Sequence, residues 1–196
     1  MPTLYALKPG FQAMLRPVVA RLARAGVTAN QITVATGAAS VALGAGLAWQ
    51  HRGWILLLPF LFVRMALNAI DGMLAREHGQ QSRLGAMLNE MTDAVSDAAL
   101  TLPLITMPDW NPLLVAVAIF FAALTEMAGV MGLTLGSTRR YDGPFGKSDR
   151  ALALGAISTW LALGWPVTPL GADLVLGAWI LLCCVTIVQR VRQALG

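Results

Sequence analysis

The chain has 196 residues, of which 57% are hydrophobic and 12% charged, with 14 Lys and Arg against 10 Asp and Glu. Soluble domains carry about 25% charged residues, so this composition excludes an ordinary water-soluble protein and indicates one membrane domain over residues 1–196. The positive excess would suit nucleic acid, but the arginines are scattered between apolar runs, which favours anionic membrane lipids as partners instead.

The first predicted element is an amphipathic helix over residues 10–25 that lies in the membrane interface. Apolar side chains recur at helical spacing on one side of this segment, and Arg16, Arg21 and Arg24 lie on the other side. Such a helix can lie flat on a bilayer with its arginines among the lipid phosphates.

Six apolar windows follow, and each approaches the roughly 20 residues that a helix needs to cross a bilayer. Gly, Pro and polar residues separate the windows. The pattern predicts an all-α integral membrane protein with six transmembrane helices at residues 31–50, 54–76, 84–107, 112–136, 149–166 and 171–191. The fifth window is the weakest of the six because Pro166 shortens it.

The distribution of positive charge predicts the orientation in the membrane. The N-terminal segment, the 76–83 turn, the 137–150 loop and the tail after residue 189 hold twelve of the fourteen Lys and Arg. These segments share one side of a six-span topology, so both termini are predicted to be cytoplasmic. We expect the protein in the bacterial inner (plasma) membrane.

Polar side chains are concentrated where the second predicted span ends and the third begins. Asn68 and Asp71 share one helix face, and Asn89 and Asp93 share a face of the next helix. A short cytoplasmic turn joins the two spans, so the four side chains are expected at similar depth, about one to two turns below the membrane surface. Oxygen ligands without His or Cys suit a hard cation such as Mg²⁺, Mn²⁺ or Ca²⁺.

Residues 68–93 resemble the signature of the CDP-alcohol phosphotransferase family. That signature reads D-x-x-D-G-x-x-A-R, eight residues, then G-x-x-x-D-x-x-x-D. The chain matches it without a gap, except that Asn68 and Asn89 replace the first and third aspartates. A weaker similarity precedes the first span, where Thr28-Ala29-Asn30-Gln31-Ile32-Thr33 resembles the family's Thr-Pro-Asn-x-x-Thr.

The resemblance implies a metal-dependent enzyme of phospholipid biosynthesis and a homodimer. It would transfer a phosphatidyl or related group from CDP-diacylglycerol, or another CDP-alcohol, to a small acceptor alcohol and release CMP. By the same resemblance, Asp71 binds metal and pyrophosphate, and Asp93 is the general base with a metal contact of its own. The nucleotide and diphosphate pocket would be lined by Gly72, Ala75, Arg76 and Gly85.

The two asparagines alter the expected metal site. They remove two negative charges but keep amide oxygens that can coordinate a hard cation, so one Mg²⁺ or Mn²⁺ is expected rather than two. A pseudoenzyme that binds CDP-lipid without turnover is the alternative interpretation. A small cation or solute carrier is a more distant one, because the outer half of the predicted bundle is almost devoid of charge.

Two further sets of charged residues each leave two interpretations open. Arg64, Asp97 and Glu126 either select the acceptor or form a structural ion network between three helices. In the 138–150 loop, Lys147 and Arg150 either hold the phosphate of an acceptor such as glycerol phosphate or inositol phosphate, or only mark the cytoplasmic side.

Overall fold

The computed structural model describes residues 8–196, and every regular element in that range is helical. The prediction of an all-α protein is therefore confirmed. The helices are α1 (Lys8–Arg24), α2 (Ala29–Trp49), α3 (Leu57–Glu77), α4 (Arg83–Thr101), α5 (Pro112–Thr134), α6 (Lys147–Ala162) and α7 (Pro169–Leu195). A 3₁₀ segment, His51–Leu56, leads into α3, and a second one, Leu102–Thr106, follows α4.

Four segments of the described chain are long and apolar enough to cross a membrane, namely Ala29–Trp49, Arg52–Glu77, Pro112–Thr134 and Pro169–Leu195. These segments support an integral membrane protein. By contrast, α4 carries four charged residues among its 19 positions, and α6 has only 16 residues. Six spans and cytoplasmic termini therefore stay predictions.

The third predicted span, residues 84–107, is not one continuous α-helix, because α4 ends at Thr101 and a 3₁₀ segment continues the chain. Pro103 explains this end, since a proline disfavours the α conformation of the residue before it and has no N–H to donate. The helix bounds elsewhere differ from the predicted windows by a few residues at their ends.

The chain forms two compact units. The first unit contains the described residues up to Ala39 together with Phe60–Asp93, and the second contains Ser40–Pro59 and Ala94–Gly196. A single membrane domain over residues 1–196 stays a prediction. Asn68, Asp71, Asn89 and Asp93 all belong to the first unit, whereas Asp97 belongs to the second.

The core of the first unit is built from α1, α2 and α3. Its buried residues are Val19, Ala29, Ile70, Met73 and Leu74, with Leu15 and Leu22 of α1 packed against them. The predicted amphipathic helix is present, but much of its apolar face packs inside the protein. Met14 and Val18 remain 74% and 42% exposed, and they supply the apolar surface that a position in the membrane interface requires.

The start of α2 is fixed by side chains that cap its backbone. Thr28 and Gln31 form a reciprocal capping pair, in which the Gln31 N–H donates to the Thr28 hydroxyl at 3.2 Å and the Thr28 N–H donates to Gln31 at 2.9 Å. Gln80, in the turn after α3, accepts from the Ala29 N–H at 2.7 Å and donates to the Val27 carbonyl at 3.4 Å. The start of α2 is thereby tied to that turn.

The turn between α3 and α4 depends on one glycine. Gly79 has a φ of +68°, a conformation that glycine adopts without a Cβ clash, and the Gln80 N–H then reaches back to the Ala75 carbonyl at 3.0 Å. The Ser82 hydroxyl accepts from the Gly85 N–H at 2.9 Å and caps the start of α4. This short connection brings the end of α3 and the start of α4 together, as the sequence predicts.

In the second unit, α7 contributes a long buried face. It consists of residues three or four positions apart, namely Ala172, Leu176, Trp179, Cys183, Thr186 and Arg190. The facing part of α5 includes Thr125 and Glu126, which are also buried. An otherwise apolar helix face therefore ends on an arginine, and a carboxylate lies among the buried residues of α5.

Candidate active site

Asp71 is a buried carboxylate of α3, with 5% of its surface exposed. The hydroxyl of Thr33 on α2 donates to Asp71 Oδ2 at 2.8 Å and lies 3.1 Å from the carbonyl oxygen of Ala29. Hydrogen bonds to an ionised carboxylate are stronger than neutral ones. The start of α2 therefore orients Asp71.

Asp93 of α4 is contacted by two side chains of α3. Its Oδ1 accepts from the Asn68 amide at 3.3 Å and lies 3.6 Å from Arg64 Nη2. Arg64 also donates to the Asp93 backbone carbonyl at 3.3 Å. The structure thus brings together Asn68 and Asp93, as predicted, and adds Arg64, whose contact with Asp93 the sequence analysis did not predict.

The small residues of the signature border polar side chains. A Cβ on Gly85 would come within 2.8 Å of Asn30 Oδ1 and 3.0 Å of Ser82 Oγ, so Gly85 leaves room for the Asn30 amide. A Cβ on Gly72 would meet the Arg76 guanidinium at 3.0 Å. Glycine at these two positions therefore keeps space next to groups that can donate or accept hydrogen bonds.

We call Asn68, Asp71, Asn89 and Asp93 the α3–α4 cluster. Its carboxylate and amide oxygens form a donor set that fits a hard divalent cation. Within residues 8–196, no group of three or more His, Cys, Asp and Glu side chains is placed to hold a metal ion. A cation here would therefore need ligands beyond carboxylates, from amide oxygens or from a bound diphosphate. The approach of Asp71 to Asp93 and the number of metal ions stay predictions.

A second polar group lies in the second unit, and we call it the arginine network. Its members are Asp97, Glu126, Arg139, Arg150 and Arg190. Arg150 is 3% exposed, and its Nη2 lies 2.9 Å from Glu126 Oε1 and 3.1 Å from Asp97 Oδ2. The guanidinium groups of Arg139 and Arg190 lie 3.2 Å and 3.5 Å from the Glu126 carboxylate. Asp97 and Glu126 thus meet in one ion network through Arg150, whereas Arg64, which the sequence groups with them, pairs with Asp93 instead. A role of Asp97 and Glu126 in selecting the acceptor stays a prediction.

Lys147 and Arg150 are the two residues predicted to hold an acceptor phosphate, and Arg150 belongs to the arginine network. Arg150 also donates to the Thr125 hydroxyl at 2.8 Å, so its guanidinium is held by protein groups on several sides. Lys147 lies in the first turn of α6 and is half-buried. Binding of an acceptor phosphate by either residue stays a prediction.

The sequence pattern does not indicate the roles of two residues of these sites. Thr33 belongs to the Thr28–Thr33 stretch that resembles the family, but its spacing does not predict the bond to Asp71. Arg190 has the sequence pattern of an ordinary cytoplasmic charge, although it is 2% exposed and donates to the carbonyl oxygens of Thr125 and Asp142. The signal for Arg190 is its position four residues after Thr186, in line with the apolar face of α7.

We expect Thr33→Val to lower the free energy of unfolding by about 1.5–3 kcal/mol, because a buried hydrogen bond to a carboxylate is lost without a change in shape. Thermal or chemical unfolding of the purified protein in detergent measures this. The matched control is Thr159→Val, since the Thr159 hydroxyl donates to the Gly155 carbonyl of its own helix at 2.8 Å. Equal losses in the two variants would contradict a special role of the bond to Asp71.

The chain is similar in sequence to known proteins. The family model described as CDP-alcohol phosphatidyltransferase matches residues 26–189. The inner membrane protein YnbA of Escherichia coli (strain K12) is 52% identical over 155 residues, which are 78% of this chain and 77% of that protein. The archaetidylinositol phosphate synthase of Aeropyrum pernix is 28% identical over 192 residues, which are 97% of this chain and 95% of that protein.

Solved structures show the same fold. The phosphatidylinositol phosphate synthase (PgsA1) of Mycobacterium tuberculosis, crystallised in complex with manganese and citrate, has a TM-score of 0.76 at 19% identity, over 92% of this chain and 88% of that chain. A crystal structure of the same enzyme with CDP-DAG bound has a TM-score of 0.73 at 19% identity, over 91% of this chain and 92% of that chain.

Proposed function

Because the chain belongs to the CDP-alcohol phosphatidyltransferase family, we propose that it transfers a substituted phosphate group from a CDP-alcohol to an acceptor alcohol and releases CMP. The proposed donor is CDP-diacylglycerol, and the proposed acceptor is a small alcohol. This proposal is supported by the CDP-DAG bound to the mycobacterial enzyme of the same fold. It places the chain in phospholipid biosynthesis.

The observation that carries the proposal is the pair of carboxylates on α3 and α4, each held by its own hydrogen-bond partners. Thr33 holds Asp71, and Asn68 with Arg64 holds Asp93. Fixed carboxylates on two connected helices can serve different tasks, one towards the diphosphate and one towards the acceptor. Such preorganised groups need little rearrangement during reaction.

The proposed reaction is a displacement at the β-phosphorus of the CDP-alcohol. The acceptor hydroxyl oxygen attacks this phosphorus while its proton passes to the Asp93 carboxylate, which acts as general base. The bond from the β-phosphorus to the oxygen that bridges the two phosphates breaks, and CMP leaves with that oxygen. Gly72, Ala75, Arg76 and Gly85 are proposed to line the pocket for the nucleotide and the diphosphate.

A single Mg²⁺ or Mn²⁺, when bound, supplies positive charge that neutralises the diphosphate. The residues proposed to hold it are Asp71, Asp93, Asn68 and Asn89, since their oxygens are hard donors. The manganese in the mycobacterial crystal structure supports this choice of ion.

We further propose six spans, a cytoplasmic active site, the bacterial inner membrane and a homodimer. The placement of twelve of the fourteen Lys and Arg supports the orientation. The similarity to the inner membrane protein YnbA of Escherichia coli supports the inner membrane. Lys147 and Arg150 are proposed to bind the phosphate of an acceptor that carries one, since both are basic residues of the first turn of α6, which begins on the predicted cytoplasmic side.

The experiment that tests the function is CMP release by the purified full chain in detergent. We expect CMP from CDP-diacylglycerol in the presence of Mn²⁺ or Mg²⁺ with at least one acceptor from a panel that includes glycerol phosphate and inositol phosphate. EDTA is expected to abolish CMP release, and added Mn²⁺ to restore it. Absence of CMP with every donor and acceptor would contradict the proposed function.

A pseudoenzyme that binds CDP-lipid is the second candidate, and one observation favours it. Arg64 forms an ion pair with Asp93, the carboxylate that is proposed as the general base. This ion pair competes with the transfer of the acceptor's proton to Asp93. Tight binding of CDP-diacylglycerol without CMP release from any acceptor would select this candidate over the enzyme.

A further inference from the structure

Arg64 is a buried cation within the first unit. Only 4% of its surface is exposed, and it precedes Asn68 by one turn of α3. Both residues approach Asp93 Oδ1, Arg64 at 3.6 Å and Asn68 at 3.3 Å. A guanidinium does not lose its proton in proteins, so this positive charge is permanent.

The net charge at the α3–α4 cluster depends on whether Arg64 is included. Asp71 and Asp93 contribute two negative charges and Arg64 one positive charge, so the group carries a net charge of −1. One divalent cation would raise the net charge to +1, which suits an incoming diphosphate. Without Arg64, the same oxygens would carry −2 and would attract cations more strongly.

We propose that Arg64 acts as a resident positive charge of the metal site, which holds Asp93 in place and limits the cluster to one divalent cation. This inference rests on the proposed function, because it concerns the metal proposed there. Arg64 is accordingly a positioning residue. It orients Asp93 through its contacts with the carboxylate and the backbone carbonyl, and it weakens the attraction of the cluster for a second cation.

If the ion pair between Arg64 and Asp93 were purely structural, a different result would be expected. Loss of a structural arginine lowers stability but leaves the affinity for a divalent cation largely unchanged. Loss of a resident charge raises that affinity, because the carboxylates are no longer partly neutralised. Metal binding therefore separates the two roles of Arg64, and turnover is not needed for the measurement.

The test is a titration of the purified full chain in detergent with Mn²⁺, in which electron paramagnetic resonance reports the free ion. We expect one Mn²⁺ per chain in the unchanged protein. Arg64→Gln is expected to bind Mn²⁺ about tenfold more tightly, or to bind a second ion, because a unit charge next to the site is removed. Arg64→Lys keeps the charge and is expected to remain within about threefold of the unchanged protein.

Arg52→Gln is the matched control, since Arg52 is exposed and belongs to the second unit. It should bind Mn²⁺ like the unchanged protein. Unaltered Mn²⁺ affinity and stoichiometry in Arg64→Gln would overturn the inference, while CMP release by the unchanged protein would leave the proposed function standing. Tighter Mn²⁺ binding by Arg64→Gln, without CMP release from any variant, would support the inference about Arg64 but contradict the proposed function.

If Arg64→Gln does not fold, the comparison moves to a background in which Asp93 is already neutral. Asp93→Asn alone is compared with Asp93→Asn combined with Arg64→Gln. Removing both members of a buried pair costs less than removing one member. The double variant is expected to bind Mn²⁺ about tenfold more tightly than Asp93→Asn, since the Asp71 carboxylate remains. Equal affinities would overturn the inference.

Discussion

Asp93→Asn is expected to lower CMP release from CDP-diacylglycerol by about 10²–10⁴-fold, the usual contribution of a general base. The substitution keeps the size and shape of the side chain and its capacity for hydrogen bonding to Asn68, but it removes the group that accepts the acceptor's proton. Most of the loss of activity should appear as a lower kcat rather than a higher KM, because the proton is transferred only during the chemical step.

The matched control for this prediction is Asp109→Asn, which makes the same chemical change at an exposed residue between the second 3₁₀ segment and α5. It is expected to retain full activity. Size-exclusion chromatography would show that both variants fold. Undiminished CMP release by Asp93→Asn would exclude Asp93 as the base and would redirect attention to Asp71.

Glu126→Gln is expected to lower the free energy of unfolding by about 3–5 kcal/mol, as when one member of a buried ion pair is removed. The guanidinium groups of Arg139, Arg150 and Arg190 all lie within 3.5 Å of the Glu126 carboxylate. Glutamine would leave these three cations with Asp97 as the remaining carboxylate of the network. Repulsion between buried positive charges would then open the packing of α5 against α7.

Glu77→Gln is the control for stability. Glu77 forms an ion pair with Arg16 at 3.3 Å, but the two side chains are 38% and 59% exposed. Exposed pairs contribute between zero and about 1 kcal/mol, so this variant should unfold close to the unchanged protein. Chemical or thermal unfolding in the same detergent compares the two. A loss below about 1 kcal/mol in Glu126→Gln would show that the arginine network contributes little to stability.

The sequence predicts the helices and the meeting of Asn68 with Asp93 well, because both depend on local patterns. Apolar windows and breakers define helix positions to within a few residues. Asn68 and Asp93 meet as predicted, since a short turn between two helices determines which residues lie opposite each other. Pro103 could also have predicted the end of α4, because its effect on the preceding residue is local.

Contacts between residues distant in the sequence were not predictable in the same way. The bond from Thr33 to Asp71 joins residues 38 positions apart, and that from Arg150 to Asp97 joins residues 53 apart. Periodicity places such residues on a helix face, but it does not say which helix lies opposite. The expected depth of Arg64 therefore groups it with Asp97 and Glu126, and only the structure shows its contact with Asp93.

The arginine network has a consequence for biogenesis. Glu126 lies near the middle of α5, and its partners Arg150 and Arg190 are synthesised later, on α6 and α7. A charged residue at the centre of an inserting helix costs about 2.5–3.5 kcal/mol. When α5 leaves the ribosome, no arginine of the later helices is present to offset that cost. We therefore expect α5 to remain beside the translocon until α6 and α7 emerge, so that Glu126 is paired with arginine when α5 enters the lipid.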